Sequence, residues 1–103
     1  SRGLGDVYKR QKPNRILGLD NFERDTQQEQ LLNTLFESVF KLDNAQEILR
    51  YLKQITIESV AGSEISDSAL RHLEGQRYIV GLIQRRVNKG RSQRIVQEKK
   101  DVR

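Results

Sequence analysis

The stretch "LRHLEGQRYIVGLIQRRVNKG", residues 70–90, decides the fold. Ala69, Leu73, Val80, Ile83 and Val87 recur at spacings of four, seven, three and four, flanked by Leu70, Ile79 and Leu82. That is the apolar stripe of an amphipathic helix. Ser66 or Asp67 is placed to cap its start, Gly90 stands where a helix end favours glycine, and Arg85, Arg86 and Lys89 suit the negative end of the helix dipole. The spacing predicts a helix of about 22 residues, about 33 Å long. Gly75 and Gly81 each weaken such a helix by about 1 kcal/mol relative to alanine, so both read as notches for close packing. Glu74 lies within reach of Arg77 and Tyr78 on the same face.

Working upstream, Asp25 opens a first helix with Gln28 three residues on, and Leu31, Leu32, Leu35, Phe36, Val39 and Phe40 form its apolar stripe. Asp43 is the candidate cap of a second helix carrying Ala45, Ile48, Leu49, Leu52 and Ile55. Two short helices joined tightly make a hairpin. The residues assigned to helix packing are Phe36, Phe40, Leu49, Leu52, Leu73, Gly75, Val80 and Ile83. The first 22 residues hold no helical or strand period, and Gly3, Gly5, Pro13 and Gly18 punctuate them. The predicted fold is all-α: a helical hairpin plus one long C-terminal helix, with an extended basic N-terminal arm and a basic C-terminal tail. Its divisions are residues 1–24 (arm), 25–90 (three-helix domain) and 91–103 (tail).

Charge is distributed unevenly along the 103 residues. Residues 1–19 carry a net +4 and residues 85–103 a net +6, whereas the 65 residues between them hold six basic and eleven acidic groups. Basic ends on an acidic middle point to anionic partners such as nucleic acid or an acidic protein surface. The candidate contacts to a partner or phosphate are Lys9, Arg10, Lys12, Arg15, Arg85, Arg86, Lys89, Arg91 and Arg94. At 35% hydrophobic and 32% charged, the chain has a small apolar core and a need for a partner. Its apolar runs are too short for a membrane span or a signal peptide.

Little in the chain suits catalysis. Cysteine is absent, His72 is the single histidine, and no Ser-His-Asp or metal-ligand spacing surrounds it. "GLGD" at residues 3–6 lacks the strand and the Gly-Lys-Ser/Thr of a phosphate loop. The expectation is a protein without enzymatic activity, metal or cofactor.

"LFESVFKLDNAQEILRYLKQIT" (residues 35–56) and "HLEGQRYIVGLIQRRVNKG" (residues 72–90) resemble a family of small helical phage domains from the head and neck gene clusters of tailed bacteriophages, first described in a Bordetella phage. Phe36 and Phe40, "ILRYL" from Ile48 to Leu52, and "EGQRYIVGLI" from Glu74 to Ile83 carry the resemblance. It implies a structural component of the virion: an accessory or ring subunit near the portal or head–tail connector, homo-oligomeric, in contact with portal, connector or capsid proteins and close to packaged DNA. The alternative is a small basic nucleic-acid-associated protein, ribosome- or nucleoid-bound, whose basic ends bind phosphate directly. A third reading is a helical adaptor that binds a partner helix.

Overall fold

The computed structural model describes residues 14–102. A two-stranded antiparallel hairpin, β1 (Arg15–Leu17) and β2 (Glu23–Asp25), leads into helices α1 (Thr26–Phe40), α2 (Asp43–Ile55) and α3 (Asp67–Asp101). The molecule is thin, 62 × 39 × 16 Å. A thickness of 16 Å is little more than one helix with its side chains, so each helix keeps one face toward solvent.

The predicted caps are two-thirds right. Asp25 accepts the Gln27 N–H at 2.9 Å and Ser66 accepts the Ala69 N–H at 3.2 Å. Asp43 is instead the first residue of α2, where its carboxylate meets the positive end of the dipole, and Leu42 precedes it without a side-chain cap. Of the predicted arm, residues 1–13 lie outside the described residues, and residues 15–25 form the hairpin rather than an extended segment. Its turn is closed by hydrogen bonds from the Gly18 N–H to the Phe22 carbonyl (2.8 Å) and from the Asn21 N–H to the Gly18 carbonyl (2.9 Å). Asn21 takes a φ of 72°, a left-handed conformation that asparagine tolerates.

The third helix does not end at Gly90. It runs 35 residues, about 52 Å, and includes the predicted tail as far as Asp101. No glycine among the described residues has a positive φ, so Gly90 is not a left-handed cap. Past it, arginine, glutamine, glutamate and lysine are all good helix formers, and Arg94 to Glu98 and Gln97 to Asp101 bond at i,i+4, each at 3.0 Å.

Gly90 is the point at which α3 crosses α1. A Cβ built there would lie 2.6 Å from the Glu37 Cβ and 2.9 Å from the Asn33 carbonyl carbon, and closer still to the Asn33 carbonyl oxygen. Gly75 and Gly81, expected to be the notches, meet nothing within 4 Å inside the chain. Close packing by glycine is thus present on this helix, at the position that resembled a cap.

Only Leu49, Val80 and Val87 are buried apolar residues among those described. Leu52, Leu73 and Ile83 are half-buried beside them, Gly75 is exposed, and Phe36 and Phe40 stack with ring centroids 6.4 Å apart. Half of the expected α1 stripe turns outward: Leu31, Leu35 and Val39 are 57%, 52% and 51% exposed, while Leu32, Phe36 and Phe40 stay half-buried and Glu29, Asn33 and Glu37 turn inward against α3.

Candidate functional site: a buried ion-pair seam and an exposed basic row

α1 and α3 are joined by polar side chains in repeating register. Glu29 meets Arg86 and Glu37 meets Arg94, each pair separated by 57 residues, with Asn33 against Gly90 between them. The register repeats because both helices advance four residues, about one turn, per contact. Arg86 is 2% exposed; one of its nitrogens donates to Glu29 Oε2 and to Asn33 Oδ1, both at 2.8 Å, and the other lies 3.5 Å from Asp20 Oδ2. Asn33 Nδ2 donates to Gln93 Oε1 at 2.9 Å, and Gln93 Nε2 donates to the Gln30 carbonyl at 3.0 Å.

The hairpin is latched to the same seam. The Leu19 N–H donates to Glu29 Oε2 at 3.1 Å, and Arg24 bridges Glu29 (2.5 Å) and Asp20 (2.8 Å). Gly18 sits against this bridge so tightly that a Cβ there would fall 2.5 Å from Glu29 Oε1 and closer to the Arg24 guanidinium. Burial pushes the Glu29 carboxyl up, but the hydrogen bonds from Arg86, the Leu19 N–H and Arg24 outweigh it and hold Glu29 below the usual carboxylate range. Asp20 is lowered to about 2, chiefly by its hydrogen bond from Arg24. No buried side-chain nitrogen or oxygen among the described residues is left without a partner. The seam is therefore a structural joint whose buried polar atoms are partnered within the chain.

The predicted contact residues separate into distinct environments. Lys9, Arg10 and Lys12 lie outside the described residues. Arg15 spans its own hairpin, 3.6 Å from the Glu23 carboxylate and donating to the Glu23 carbonyl at 3.2 Å. Arg86 is not a surface contact: it is enclosed in the seam, since a charge at that position is stabilised by the Glu29 carboxylate beside it. Arg94 is divided between Glu37 and Glu98, both at 3.0 Å, and these hydrogen bonds, Glu98 first, raise its pKa above the ordinary guanidinium value. Arg85, Lys89 and Arg91 remain exposed, and among the described residues none of them has an acidic partner within salt-bridge distance.

Arg85 and Lys89 share the outward face of α3 with Lys99 and Lys100, within an arc of about 100° at 3.6 residues per turn. Arg85 also rests 5.8 Å from the centroid of the Tyr78 ring, a cation–π contact that fixes the start of the row. Beside the row, α1 and α3 diverge around an open cleft of about 670 Å³, lined by Lys89, Arg94, Val96 and Lys100 on one side and Gln27 and Leu31 on the other. Lys99 and Lys100 extend the row beyond the contacts expected from the sequence, because α3 continues through Asp101.

Two further placements bear on chemistry. His72 is exposed and its ring bonds the Gln76 side chain at 3.2 Å. Among the described residues no group of three histidine, aspartate or glutamate side chains converges as a metal site. Arg77 does pair with Glu74 at 2.7 Å as expected, and it also donates to the Thr56 and Ser59 carbonyls at 2.9 and 2.7 Å, tying α3 to the end of α2 and the following loop. Among the described residues no helix is long and apolar enough to cross a membrane.

Among the described residues the fold is a thin, predominantly helical arrangement of three helices with a minor hairpin. The family model for Bbp19-like phage proteins matches residues 36–97, more than half of the chain, and the protein belongs to this family. The match spans the end of α1, all of α2 and most of α3, and so includes the Glu37–Arg94 pair and Gly90. No curated protein and no solved structure matches the chain.

Proposed function

We propose that the protein is a non-enzymatic structural component of a tailed-phage particle, an accessory or ring subunit near the portal or head–tail connector, where its basic row faces packaged DNA. The observation that carries this reading is the row itself: Arg85, Lys89, Lys99 and Lys100 on one outward face of α3, with no acidic partner among the described residues, in a chain of a phage family. Aligned cations without bases to read suit phosphate contact without sequence preference. The row has one ring beside it, Tyr78, and that ring is covered by Arg85, so base stacking contributes little. Further contacts to portal, connector or capsid proteins belong to the same reading, with the protein in the host cytoplasm during assembly and in the virion afterwards.

The alternative, a small basic nucleic-acid-associated protein, draws on the same row. The two readings separate in one experiment. Particles assembled with wild type and with a variant carrying glutamate at positions 85, 89, 99 and 100 are purified and their protein content measured, and both proteins are titrated with duplex DNA at several salt concentrations. The virion reading expects wild type in purified particles at a fixed copy number. Four phosphates neutralised by the row give a slope of log K against log salt of about −3.6, which the variant loses. Absence of the protein from particles, together with that salt-dependent binding, establishes the alternative.

A further inference from the structure

The outward row of α3 is a convex ridge with a gap in it. At about 100° per residue, the side chains that meet α1 (Arg86, Gly90 and Arg94) and those that meet the end of α2 (Arg77 and Gln84) lie about 120° to either side of the row. Neither neighbouring helix therefore stands in front of it. Along the ridge the cations fall into two exposed clusters, Arg85 with Lys89 and Lys99 with Lys100. Ten residues, about 15 Å, separate Lys89 from Lys99. The outward positions between them are Ser92 and Val96, short side chains without charge. The acids of this stretch, Glu98 and Asp101, bond Arg94 and Gln97 on the opposite side of the helix, each at 3.0 Å.

This spacing selects among anionic partners. A protein interface is built round an apolar core and is depleted of lysine, whereas the ridge between Arg85 and Lys100 offers one aliphatic side chain, Val96, and three lysines. A single nucleic-acid strand presents one line of phosphates, and an interrupted row leaves its middle without a cation. Duplex DNA presents two lines, one on each lip of a groove. The lips stand about 12 Å apart across the major groove, which admits an α-helix, and about 6 Å apart across the minor groove. An interval of about 15 Å with flexible lysines at its ends suits the first and overshoots the second.

We infer that α3 bridges the major groove of duplex DNA, with Arg85 and Lys89 on the phosphates of one strand and Lys99 and Lys100 on those of the other. Ser92 and Val96 span the opening. Being short, they let the helix settle onto both backbones without a side chain that reads a base edge. Arg85 is held at its end of the bridge by the Tyr78 ring, whose centroid lies 5.8 Å from the guanidinium. Such a contact is indifferent to sequence and sensitive to strandedness. The bridge rests on the phosphate-binding role proposed for the row, and adds the form of nucleic acid and the groove that the row takes.

The test uses the full chain and a variant that keeps the charge but closes the gap: Ser92→Lys, Val96→Lys, Lys99→Gln and Lys100→Gln. All four positions are exposed, and lysine and glutamine are good helix formers, so circular dichroism should match wild type. Each protein is titrated with a duplex and with a single strand of the same length at several salt concentrations. Two phosphates on the second backbone add about −1.8 to the slope of log K against log salt, so at ~0.1 M salt the wild-type preference for duplex should exceed the variant's by more than about tenfold. Methyl green, a major-groove ligand, should displace the wild type from duplex, and distamycin, a minor-groove ligand, should not. Equal duplex preference in the two proteins overturns the proposal, as does displacement by distamycin in place of methyl green. Failure of the wild type to bind either form overturns it as well. Copy number in purified particles is measured separately: protein present in particles without the duplex preference leaves the virion role standing and removes only the bridge.

Discussion

Replacing Gly90 with alanine tests the central geometric claim, that α1 and α3 cross at backbone contact. A methyl carbon and a neighbouring carbonyl carbon or aliphatic carbon settle at about 3.5–4.0 Å, whereas the added Cβ would begin 2.6 Å from the Glu37 Cβ and 2.9 Å from the Asn33 carbonyl carbon. Neither neighbour is the free end of a flexible side chain, so the helices must separate by about 1 Å. Alanine returns about 1 kcal/mol of helix propensity. Against it stand an overpacking cost of about 1–3 kcal/mol and the weakening of the Arg86 and Gln93 hydrogen bonds that span the crossing, each worth about 1 kcal/mol or more. The net expectation is destabilisation by about 2–3 kcal/mol, which in a domain of this size lowers Tm by roughly 10–20 °C. Gly81→Ala is the internal control: nothing lies within 4 Å of its Cβ, so it should gain about 0.5–1 kcal/mol. Both are read by thermal and urea unfolding followed by circular dichroism. A Gly90→Ala variant as stable as Gly81→Ala would refute the crossing.

Glu29→Gln leaves the enclosed Arg86 guanidinium with only the more distant Asp20 carboxylate, at 3.5 Å, and should cost about 3 kcal/mol, whereas Glu47→Gln, which breaks the exposed pair with Arg50, should change stability by less than about 1 kcal/mol in the same unfolding assay. Stability should also fall in acid. Asp20 is lowered to about 2 and Glu29 is held below its usual range, so their contribution is complete above pH ~5 and is lost as pH falls from ~4 through about 2; urea midpoints measured between pH 2 and 7 check it, and midpoints that rise on acidification contradict it. Arg77→Lys cannot reach the Thr56 and Ser59 carbonyls and Glu74 together, and should loosen the loop after α2, seen as faster hydrogen exchange at residues 56–65 with the α1–α3 seam unchanged.

The elements were legible because their signals are local. Asp25 and Ser66 mark helix starts by residue type, and the spacing of Leu73, Val80, Ile83 and Val87 fixes a helix whatever it packs against. Which face turns inward is not a local property. Glu29, Asn33 and Glu37 are as periodic as Leu31, Leu35 and Val39, and the ordinary preference for burying leucine chooses the second set. The first set is buried because Arg86 and Arg94, 57 residues further on, present cations to it. Adjacent residues meet opposite fates for the same reason: Arg85 and Arg86 are about 100° apart around α3, so one joins the outward row and the other the seam. Gly90 shows a different limit. A glycine after a basic turn is the same text whether it ends a helix or lets another backbone approach, and only the partner helix distinguishes the two.

The outward turn of Leu31, Leu35 and Val39 follows from these constraints taken together. With a period of 3.6 residues, the Glu29–Asn33–Glu37 face and the Leu31–Leu35–Val39 face cannot both lie against α3. Enclosing the leucines instead would leave Arg86 to shed its hydration without a carboxylate, at a cost larger than that of three half-exposed aliphatic side chains. The seam fixes the register of α1 on α3 through paired hydrogen bonds that a one-turn slip would break, while an apolar seam of leucines could slide. Setting that register with Glu29, Asn33 and Glu37 sends Leu31, Leu35 and Val39 outward as a matter of geometry. Among the described residues the chain therefore keeps a small buried apolar core of Leu49, Val80 and Val87, and leaves Leu31, Leu35 and Val39 on the surface of α1.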